Sequence, residues 1–391
     1  MSLPSDSPSS CLSRRAFVRL GGLGAAASVL SSTSLPGAAA KADLSTDVAG
    51  TPPTLASERV KDFNAHDQRI WEEELEAFVP RRIFDAHAHL FWHTNLPAGH
   101  PGGKGWWDTD HAAHQAWARR LYPGREVHYL FLGAPLPGIN VEAHNQFIHG
   151  ELAKDPQSRG NLLVTPACTP DYIAATVKQK GFIGLKPYRM FTTGGNPHTC
   201  RIKEFFPESQ MEVANELGLW VTMHVSRFAA VADPDNMRDL QEYTLRRYPR
   251  IKWILAHCGR SFTYWQIREA IARLRDLPNI FYDLAAVCDL RPILTLFKGE
   301  DVRRIFFGSD GTSPMFVRGA YMAQGRSWAF VSPTAFLGKQ ENAYANECGP
   351  ILAIYENLLS IKQAADIAGF GRGEVEAIFW KNAVREFGVS G

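Results

Sequence analysis

Cysteine is scarce in this sequence, and its spacing excludes two common uses of the residue. Six cysteines occur in 391 residues, and no two of them form a CxxC pair. Cys11 lies near the N-terminus, and the other five are far apart, at positions 168, 200, 258, 288 and 348. An odd number of widely spaced cysteines builds no disulfide framework, and a cysteine zinc site needs close pairs. We therefore expect most of them to pack as small core residues.

The sequence also lacks a long hydrophobic run and an excess of charge of either sign. The stretch 20–30 is too short and too rich in glycine to span a bilayer. The 42 basic residues nearly balance the 40 acidic ones, and they form no basic stripe. We therefore expect neither stable membrane insertion nor nucleic-acid binding. With 45% hydrophobic residues, the chain has enough material for a large core.

Residues 1–42 have the composition of an export signal. The pair Arg14–Arg15 precedes Phe17 and a short stretch rich in glycine and alanine, and small residues near Ala40 and Ala42 suit a cleavage site. The arginine pair with the phenylalanine resembles the bacterial twin-arginine signal. The resemblance implies the twin-arginine export machinery as a partner, transport of a folded and cofactor-loaded protein, and a periplasmic or extracellular location.

Eight short apolar runs follow a predicted linker and helix over residues 43–80. The runs cover residues 82–91, 127–133, 162–168, 182–188, 219–226, 252–259, 280–286 and 304–311. Helical segments separate most of them, and strands that alternate with helices indicate a parallel sheet. Eight such units predict an α/β fold, a closed (β/α)₈ TIM barrel over residues 81–391. The alternative, an open doubly wound sheet, carries a glycine-rich phosphate loop after its first strand, and this sequence has none there.

Polar side chains suited to metal or proton chemistry close five of these runs. They are His87 and His89 on the first run, Lys186 on the fourth, His224 on the fifth, His257 on the sixth and Asp310 on the eighth. Residues i and i+2 of a strand share a face, so the first two imidazoles project together. Catalytic residues of such barrels lie at the C-terminal strand ends, where an unpaired polar group is costly. The pattern predicts a metal site at the barrel mouth.

In order, these motifs resemble the amidohydrolase superfamily, and most nearly its amidohydrolase-related branch of decarboxylases and lactonases. The stretches that carry the resemblance are FDAHAHL, GFIGLKPY, VTMHVS, ILAHCGR, FFGSDG and the closing VEAIFWKNAVREFG. They extend over residues 82–388, nearly the whole chain after the signal. The resemblance implies a metal-dependent enzyme that acts on a small molecule.

The resemblance also assigns roles to the strand-end residues. The predicted ligands of zinc or a similar divalent ion are His87, His89, His224 and Asp310, because such ions accept imidazole nitrogens and carboxylate oxygens. At least one coordination position then remains for water. Asp310 is the predicted general base. His257 polarises the substrate or carries a proton, unless it is a further ligand.

Lys186 has three alternative roles. In two-metal members of the superfamily, a lysine that ends strand four is carbamylated and bridges the ions, which gives two metals per chain instead of one. A free Lys186 instead pairs with a carboxylate of the substrate. The remaining alternative is a structural ion pair within the protein.

Basic side chains follow the same strand ends. Arg189, Arg227 and Arg260 come after strands four, five and six, and Tyr188 precedes the first of them. Arginine presents a fork of donors that matches a carboxylate. We therefore predict that these residues and Lys186 bind an anionic substrate, the alternative being three surface arginines.

Two long insertions rich in aromatic residues and glycine follow strands one and eight, at residues 91–117 and 312–349. Loops of this length usually form lids or binding walls. The first contains three histidines interpreted as loop or rim residues: His93, His111 and His114. The second contains three aromatic residues expected to cover the site or to form a contact in a homo-oligomer: Trp328, Phe330 and Phe336.

The sequence thus predicts a hydrolase in which metal-activated water attacks a lactone, ester or amide carbonyl. A non-oxidative decarboxylase of a carboxylic acid is the alternative, because one scaffold serves both reactions. Export favours hydrolysis slightly, since exported enzymes often process nutrients. A non-catalytic binding protein that keeps its metal as a structural part is a minor alternative.

Overall fold

The chain folds around eight short parallel strands that pair in chain order. This computed structural model describes residues 63–101, 106–311, 315–331 and 350–390. The strands are Arg82–Leu90 (β1), Glu126–Gly133 (β2), Arg159–Val164 (β3), Gly184–Pro187 (β4), Trp220–Met223 (β5), Lys252–Leu255 (β6), Ile280–Asp283 (β7) and Ile305–Phe306 (β8). They form one sheet in the order β1 to β8. Each strand overlaps the apolar run that predicted it, and the (β/α)₈ barrel is confirmed.

Helices lie between the strands and around them. Among the described residues they are Ala65–Ile70 (α1), His111–Leu121 (α2), Val141–Leu152 (α3), Pro170–Lys180 (α4), Ile202–Phe205 (α5), Glu208–Leu217 (α6), Pro234–Glu242 (α7), Trp265–Leu274 (α8), Leu290–Gly299 (α9), Ala353–Ala368 (α10), Arg372–Glu376 (α11) and Asn382–Phe387 (α12). Wider π-helical turns continue three of them, at Trp71–Leu75 after α1, Tyr243–Arg247 after α7 and Ala377–Lys381 after α11. Helix α1 and its π turn confirm the helix predicted before the first strand, in the part that the structure describes.

The barrel closes where the segment after β8 returns to β1. The amide of Ala86 donates to the carbonyl of Phe307 (2.9 Å), and the amide of Asp310 donates to the carbonyl of His87 (2.8 Å). Between these two bonds lies Gly308, where a Cβ atom would stand 2.9 Å from the Cβ of His87. Strand β1 has a bulge at this point, so its pairing with β2 shifts register between Asp85 and Ala88. Bulge and closure together bring Asp310 beside the two histidines.

Aromatic side chains fill the barrel at its N-terminal end. Phe84, Trp220, Phe281 and Phe306 are buried in one cluster, which includes Phe387 of α12. The ring of Phe387 packs against those of Phe84 and Trp220, with centroid distances of 5.4 and 4.9 Å. This packing leaves the opposite end, where the strands terminate, for polar side chains.

The insertion after β1 corrects one prediction. Because α2 begins at His111, both His111 and His114 lie on a helix and not in a loop. His114 is buried, and its Nε2–H donates to the carbonyl of His89 at 3.0 Å, so this residue supports the strand. His93 does lie outside the regular helices, with Nδ1 2.5 Å from Asp108. The prediction that His111 and His114 are loop residues is therefore wrong, since both belong to helix α2.

The insertion after β8 contains an antiparallel hairpin of Ala320–Gln324 (β9) and Ser327–Val331 (β10). Trp328 and Phe330 lie on β10, whereas Phe336 falls outside the described residues. The predicted signal and linker before residue 63 also fall outside them. Within the described ranges, no helix combines the length and the apolar character needed to cross a membrane.

His128 of β2 lies between two carboxylates. Its Nδ1 is 2.7 Å from Asp155 Oδ2, and its Nε2 is 3.0 Å from Glu126 Oε1. Burial by itself lowers the pKa of His128, but the hydrogen bonds to Asp155 and Glu126 outweigh it and hold that pKa above its ordinary value. The imidazolium form is therefore favoured in the folded protein.

This arrangement predicts a pH-dependent contribution to stability. Since the folded-state pKa of His128 is raised, the contribution is fully present below the unfolded pKa of about 6.5 and is lost as pH rises through the folded pKa. His128→Gln should lower the free energy of unfolding by about 1.5–3 kcal/mol at low pH and by less at high pH. Urea titrations at pH 5.5 and pH 9 measure the difference. His66→Gln is the control, since His66 contacts Arg69 and no carboxylate among the described residues. An equal cost at both pH values would contradict the prediction.

Candidate metal centre

His87 and His89 present their Nε2 atoms to the same point at the mouth of the barrel. The two atoms are 3.3 Å apart, and both side chains are buried. The Nδ1 of His87 is 2.8 Å from Asp283 Oδ2, and the Nδ1 of His89 is 2.9 Å from the carbonyl of Gly133. These partners are acceptors, so each ring carries its proton on Nδ1 and a lone pair on Nε2. Burial lowers the pKa of both imidazoles, which favours the neutral form that binds metals.

Asp310 completes a group of three. Its Oδ1 is 3.4 Å from Nε2 of His87 and 3.5 Å from Nε2 of His89. Burial raises the pKa of this carboxyl, but the neighbouring imidazoles of His89, His257 and His87 outweigh burial and hold that pKa well below its usual range. Asp310 is therefore an ionised acceptor. It has a φ of 58°, a left-handed conformation that is fixed by the hydrogen bond from its amide to the carbonyl of His87.

The three atoms have the spacing that a tetrahedral cation requires. Bonds of about 2.0–2.1 Å in a tetrahedron put neighbouring ligand atoms about 3.3–3.4 Å apart. The observed separations are 3.3, 3.4 and 3.5 Å. Two neutral imidazoles and one carboxylate are also a common donor set for divalent ions. The group can thus hold a divalent metal without rearrangement.

His224 lies at the end of β5 and lines the same cavity, but outside this group of three. Its ring centroid is 4.9 Å from that of Tyr188 and 5.2 Å from that of His257. Its Nδ1 is buried and has no hydrogen-bond partner among the described residues. Burial lowers the pKa of His224 far below its ordinary value, so the ring is neutral. Its role as a fourth ligand stays a prediction.

Lys186 is fully buried below the cavity. Its Nζ has no hydrogen-bond partner in the described part of the chain and lies 5.4 Å from the centroid of the Tyr188 ring. Burial lowers the pKa of Lys186 to about 8, against the opposing charges of Asp283 and Asp310. A buried ammonium group without a direct partner is costly. The predicted structural ion pair therefore has no support, because no described residue pairs directly with Lys186.

His257 begins a left-handed turn after β6. Four successive residues, 257–260, have φ values of 58°, 53°, 68° and 59°. The amide of His257 donates to Asp283 Oδ1 (2.8 Å), and its Nδ1–H donates to the carbonyl of Ala285 (2.9 Å). Its ring centroid is 4.9 Å from that of His87. Positive φ values outside glycine carry strain and concentrate at functional sites. Here the turn directs His257 and Arg260 into the cavity.

Glycine is required within this turn. A Cβ at Gly259 would lie 2.5 Å from Cγ1 of Val231, and the backbone has a φ of +68°. Both the close approach and the left-handed conformation exclude a larger residue. The motif AHCGR therefore encodes a backbone shape as well as a histidine.

The cavity above the group of three has a volume of about 170 Å³. Its polar side includes Tyr188, Arg189 and Arg260, and its aromatic side comprises Phe262 with two residues of the hairpin, Tyr321 and Trp328. The rings of Tyr321 and Trp328 pack on Phe262 with centroid distances of 4.6 and 4.5 Å. The prediction that the second insertion helps to wall the site is confirmed for Trp328.

Two of the three predicted arginines face this cavity without an acidic partner among the described residues. Arg189 donates to the carbonyl of Pro197 (2.9 Å), and Arg260 donates to that of Arg227 (2.7 Å). Burial and the proximity of Arg189 lower the pKa of Arg260 to about 10. These guanidinium groups make the cavity suited to an anion.

Arg227 occupies a different place. It does not line the cavity, and its guanidinium lies 2.9 Å from Asp235 and 3.6 Å from Asp233. The carboxylates at the start of α7 thus attract this side chain away from the site. Its predicted role in substrate binding has no support in this geometry.

Sequence reasoning overlooked several residues of the site. Asp283 closes β7 and contacts both His87 and the His257 turn. Asp85 on β1 accepts hydrogen bonds from the amide and hydroxyl of Ser309, and burial raises the pKa of Asp85 to about 7. A signal for Asp283 was present, because it is the one charged residue within the apolar run 280–286. Nothing local to the sequence identifies Phe262 or Tyr321.

Comparisons with known proteins found solved structures and one family model that resemble the chain. One solved structure that resembles the chain is a probable 2-pyrone-4,6-dicarboxylic acid hydrolase from Acinetobacter baumannii with citric acid bound, with a TM-score of 0.50, 13% identity, and coverage of 78% of this chain and 99% of that one. Another is 5-carboxyvanillate decarboxylase from Sphingomonas paucimobilis, with a TM-score of 0.49, 13% identity, and coverage of 80% and 100%. None of the curated proteins matches the chain. The family model described as Amidohydrolase matches residues 84–389. The match covers all eight strands and every residue of the group of three, and the chain belongs to this amidohydrolase family.

Proposed function

We propose that this protein is a zinc-dependent hydrolase of a small carboxylate. The observation that carries the proposal is the convergence of His87 Nε2, His89 Nε2 and Asp310 Oδ1 within 3.3–3.5 Å of one another. His224 is the proposed fourth ligand, since its buried Nδ1 lacks a partner among the described residues. A divalent ion bound here supplies a Lewis acid and lowers the pKa of a water molecule that it binds.

The side chains around the ion divide the remaining tasks. Oδ1 of Asp310 faces the two imidazoles, which leaves Oδ2 of this ionised carboxylate to accept a proton from the attacking water. His257 has its Nδ1–H fixed on Ala285, so its Nε2 is an acceptor that takes a proton and then passes it to the substrate or the leaving group. Arg189 and Arg260 hold the carboxylate of the substrate. The aromatic side excludes water from the bound substrate.

Decarboxylation is the second candidate reaction. It requires a proton donor beside the carbon that loses carbon dioxide, and His257, once protonated on Nε2, is the candidate donor because it lies in the cavity near the proposed metal ligands. A non-catalytic role for a bound metal is the least favoured, because the general-base and anion-binding groups would then have no use. A product assay separates the first two reactions. Hydrolysis yields a new acid without carbon dioxide, and decarboxylation releases carbon dioxide.

We also propose export by the twin-arginine pathway, supported by Arg14–Arg15, Phe17 and the following stretch. Replacement of both arginines by lysine should retain the full-length precursor in the cytoplasm of a bacterium with this pathway. Immunoblotting of cell fractions measures the export. Unchanged export of the variant would contradict the proposal.

The first prediction concerns the metal itself. Purified protein should contain about one divalent ion per chain, and His89→Ala should weaken its binding more than tenfold because a direct ligand is lost. Elemental analysis and chelator competition measure this. His149→Ala on α3 is the control, since His149 bonds the carbonyl of Lys180. Full activity in excess chelator would exclude a metal-dependent reaction.

The second prediction concerns the proton acceptor. Asp310→Asn keeps the shape of the side chain but removes its proton affinity, so kcat should fall about 10²-fold or more. Metal content must be measured on the same sample, because Asp310 is also a proposed ligand. A fully loaded variant with nearly normal kcat would transfer the role of base to His257.

The third prediction concerns the anion. Arg260→Met should raise KM about 10- to 150-fold with little change in kcat, since a carboxylate contact of about 1.5–3 kcal/mol acts on ground and transition states alike. The exposed Arg246→Ala is the control.

Lys186→Met distinguishes the two functional roles of that lysine. A carbamylated bridge would lower the metal content from two ions toward one, whereas a substrate anchor would raise KM alone. Normal KM in both variants would indicate a neutral substrate.

A further inference from the structure

Asp283 is a carboxylate at the end of β7 that is fully buried and belongs to neither the group of three nor the lining of the cavity. Oδ2 accepts a hydrogen bond from Nδ1–H of His87 at 2.8 Å. Oδ1 accepts from the amides of His257 (2.8 Å) and Ala285 (3.2 Å). One side chain thus contacts a proposed metal ligand and the turn that carries the proposed proton carrier.

We propose that Asp283 is a positioning residue that fixes the tautomer of His87, so that its Nε2 lone pair points at the metal, and that anchors the left-handed turn of His257. This inference rests on the proposed metal-dependent function. It adds a residue on β7 to the five strand ends that supply the proposed chemistry.

The tautomer of His87 follows from which of the facing atoms can donate and which can accept a hydrogen bond. A neutral imidazole carries one N–H, and an ionised carboxylate at Nδ1 only accepts, so the proton stays on Nδ1. His89 is held in the same tautomer by the carbonyl of Gly133. The difference is the charge, because a carboxylate also makes the imidazole a more basic ligand than a carbonyl does. His87 should therefore depend on its partner more strongly than His89.

The left-handed turn needs an anchor because its backbone is strained. Residues 257–260 all have positive φ, and three of them are not glycine. Such a conformation persists only where surrounding contacts fix it. The amide of His257 is buried at the start of this turn, and without Oδ1 of Asp283 it would lose its acceptor. The same carboxylate then fixes both the nitrogen that His87 presents to the metal and the direction of the His257 ring.

Asp283, His87 and His257 also lie close enough together to suggest a second cation site. The hydrogen bonds favour the positioning role instead. Both oxygens of Asp283 already accept from N–H groups, and Nδ1 of His257 is bonded to Ala285. A cation there would displace these bonds.

Asp283→Asn tests the proposal sharply because an amide is not symmetric. Its oxygen must stay at the Oδ1 position, where two backbone amides donate. Its NH₂ group then faces Nδ1 of His87, which has to become an acceptor. The proton of His87 moves to Nε2, the atom that should bind the metal. Shape and volume are kept, and only the tautomer changes.

The experiment uses the full chain with ¹⁵N-labelled histidine. In metal-free wild-type protein, NMR should show His87 and His89 both protonated on Nδ1. In Asp283→Asn, His87 should switch to Nε2–H while His89 stays unchanged as an internal control, and zinc affinity by chelator competition should fall about 10- to 100-fold. Asp239→Asn, which loses a buried carboxylate paired with Arg201, should change neither quantity.

The outcomes separate this inference from the proposed function. Nε2–H on His87 in wild-type protein would overturn the inference even if the variant failed to fold, and so would an unchanged tautomer and affinity in the variant. Two zinc ions in wild-type protein and one in the variant, with His87 unswitched, would assign Asp283 to a second cation site instead. If wild-type protein binds no zinc, the proposed function fails, while the tautomer measurement still decides the role of Asp283.

Discussion

The candidate site depends on the backbone contact that closes the barrel. The segment after β8 approaches β1 so closely that a Cβ at position 308 would stand 2.9 Å from the Cβ of His87, and the amide of Asp310 donates a hydrogen bond to the carbonyl of His87 there. This single contact delivers a carboxylate to two imidazoles that already share a strand face. Side chains more than 200 positions apart in sequence thereby converge on one point, and the hydrogen bond between Ser309 and Asp85 spans 224 positions in the same region.

The buried polar groups around His87, His89 and Asp310 fall into two classes. Asp85 and Asp283 each accept several hydrogen bonds, so their burial is compensated within the protein. Lys186 and His224 instead have buried nitrogen atoms without a partner among the described residues. Uncompensated polar atoms are costly, and they are tolerated where a metal or a substrate satisfies them. The first class forms the frame of the site, and the second supplies the atoms proposed to meet a metal or a substrate.

The arginine and aromatic residues that line the cavity come from different elements than the group of three does. The candidate metal-binding group comes from strand ends, whereas Arg189, Arg260 and Phe262 come from the turns that follow β4 and β6. Tyr321 and Trp328 come from the hairpin inserted after β8. Loops of a barrel vary without disturbing its strands, so a chain of this family acquires its own pocket by such insertions.

The sequence alone determined the barrel and the positions of His87, His89 and Asp310, because apolar runs ended by polar residues and the two-residue period of a strand are local signals. It did not determine that Arg227 turns to Asp235 or that Asp283 supports His87. Those facts depend on which charged groups meet across distant parts of the chain, and local pattern carries no record of such pairs. Tertiary packing decided them, because a buried charge adopts the position where a partner satisfies it.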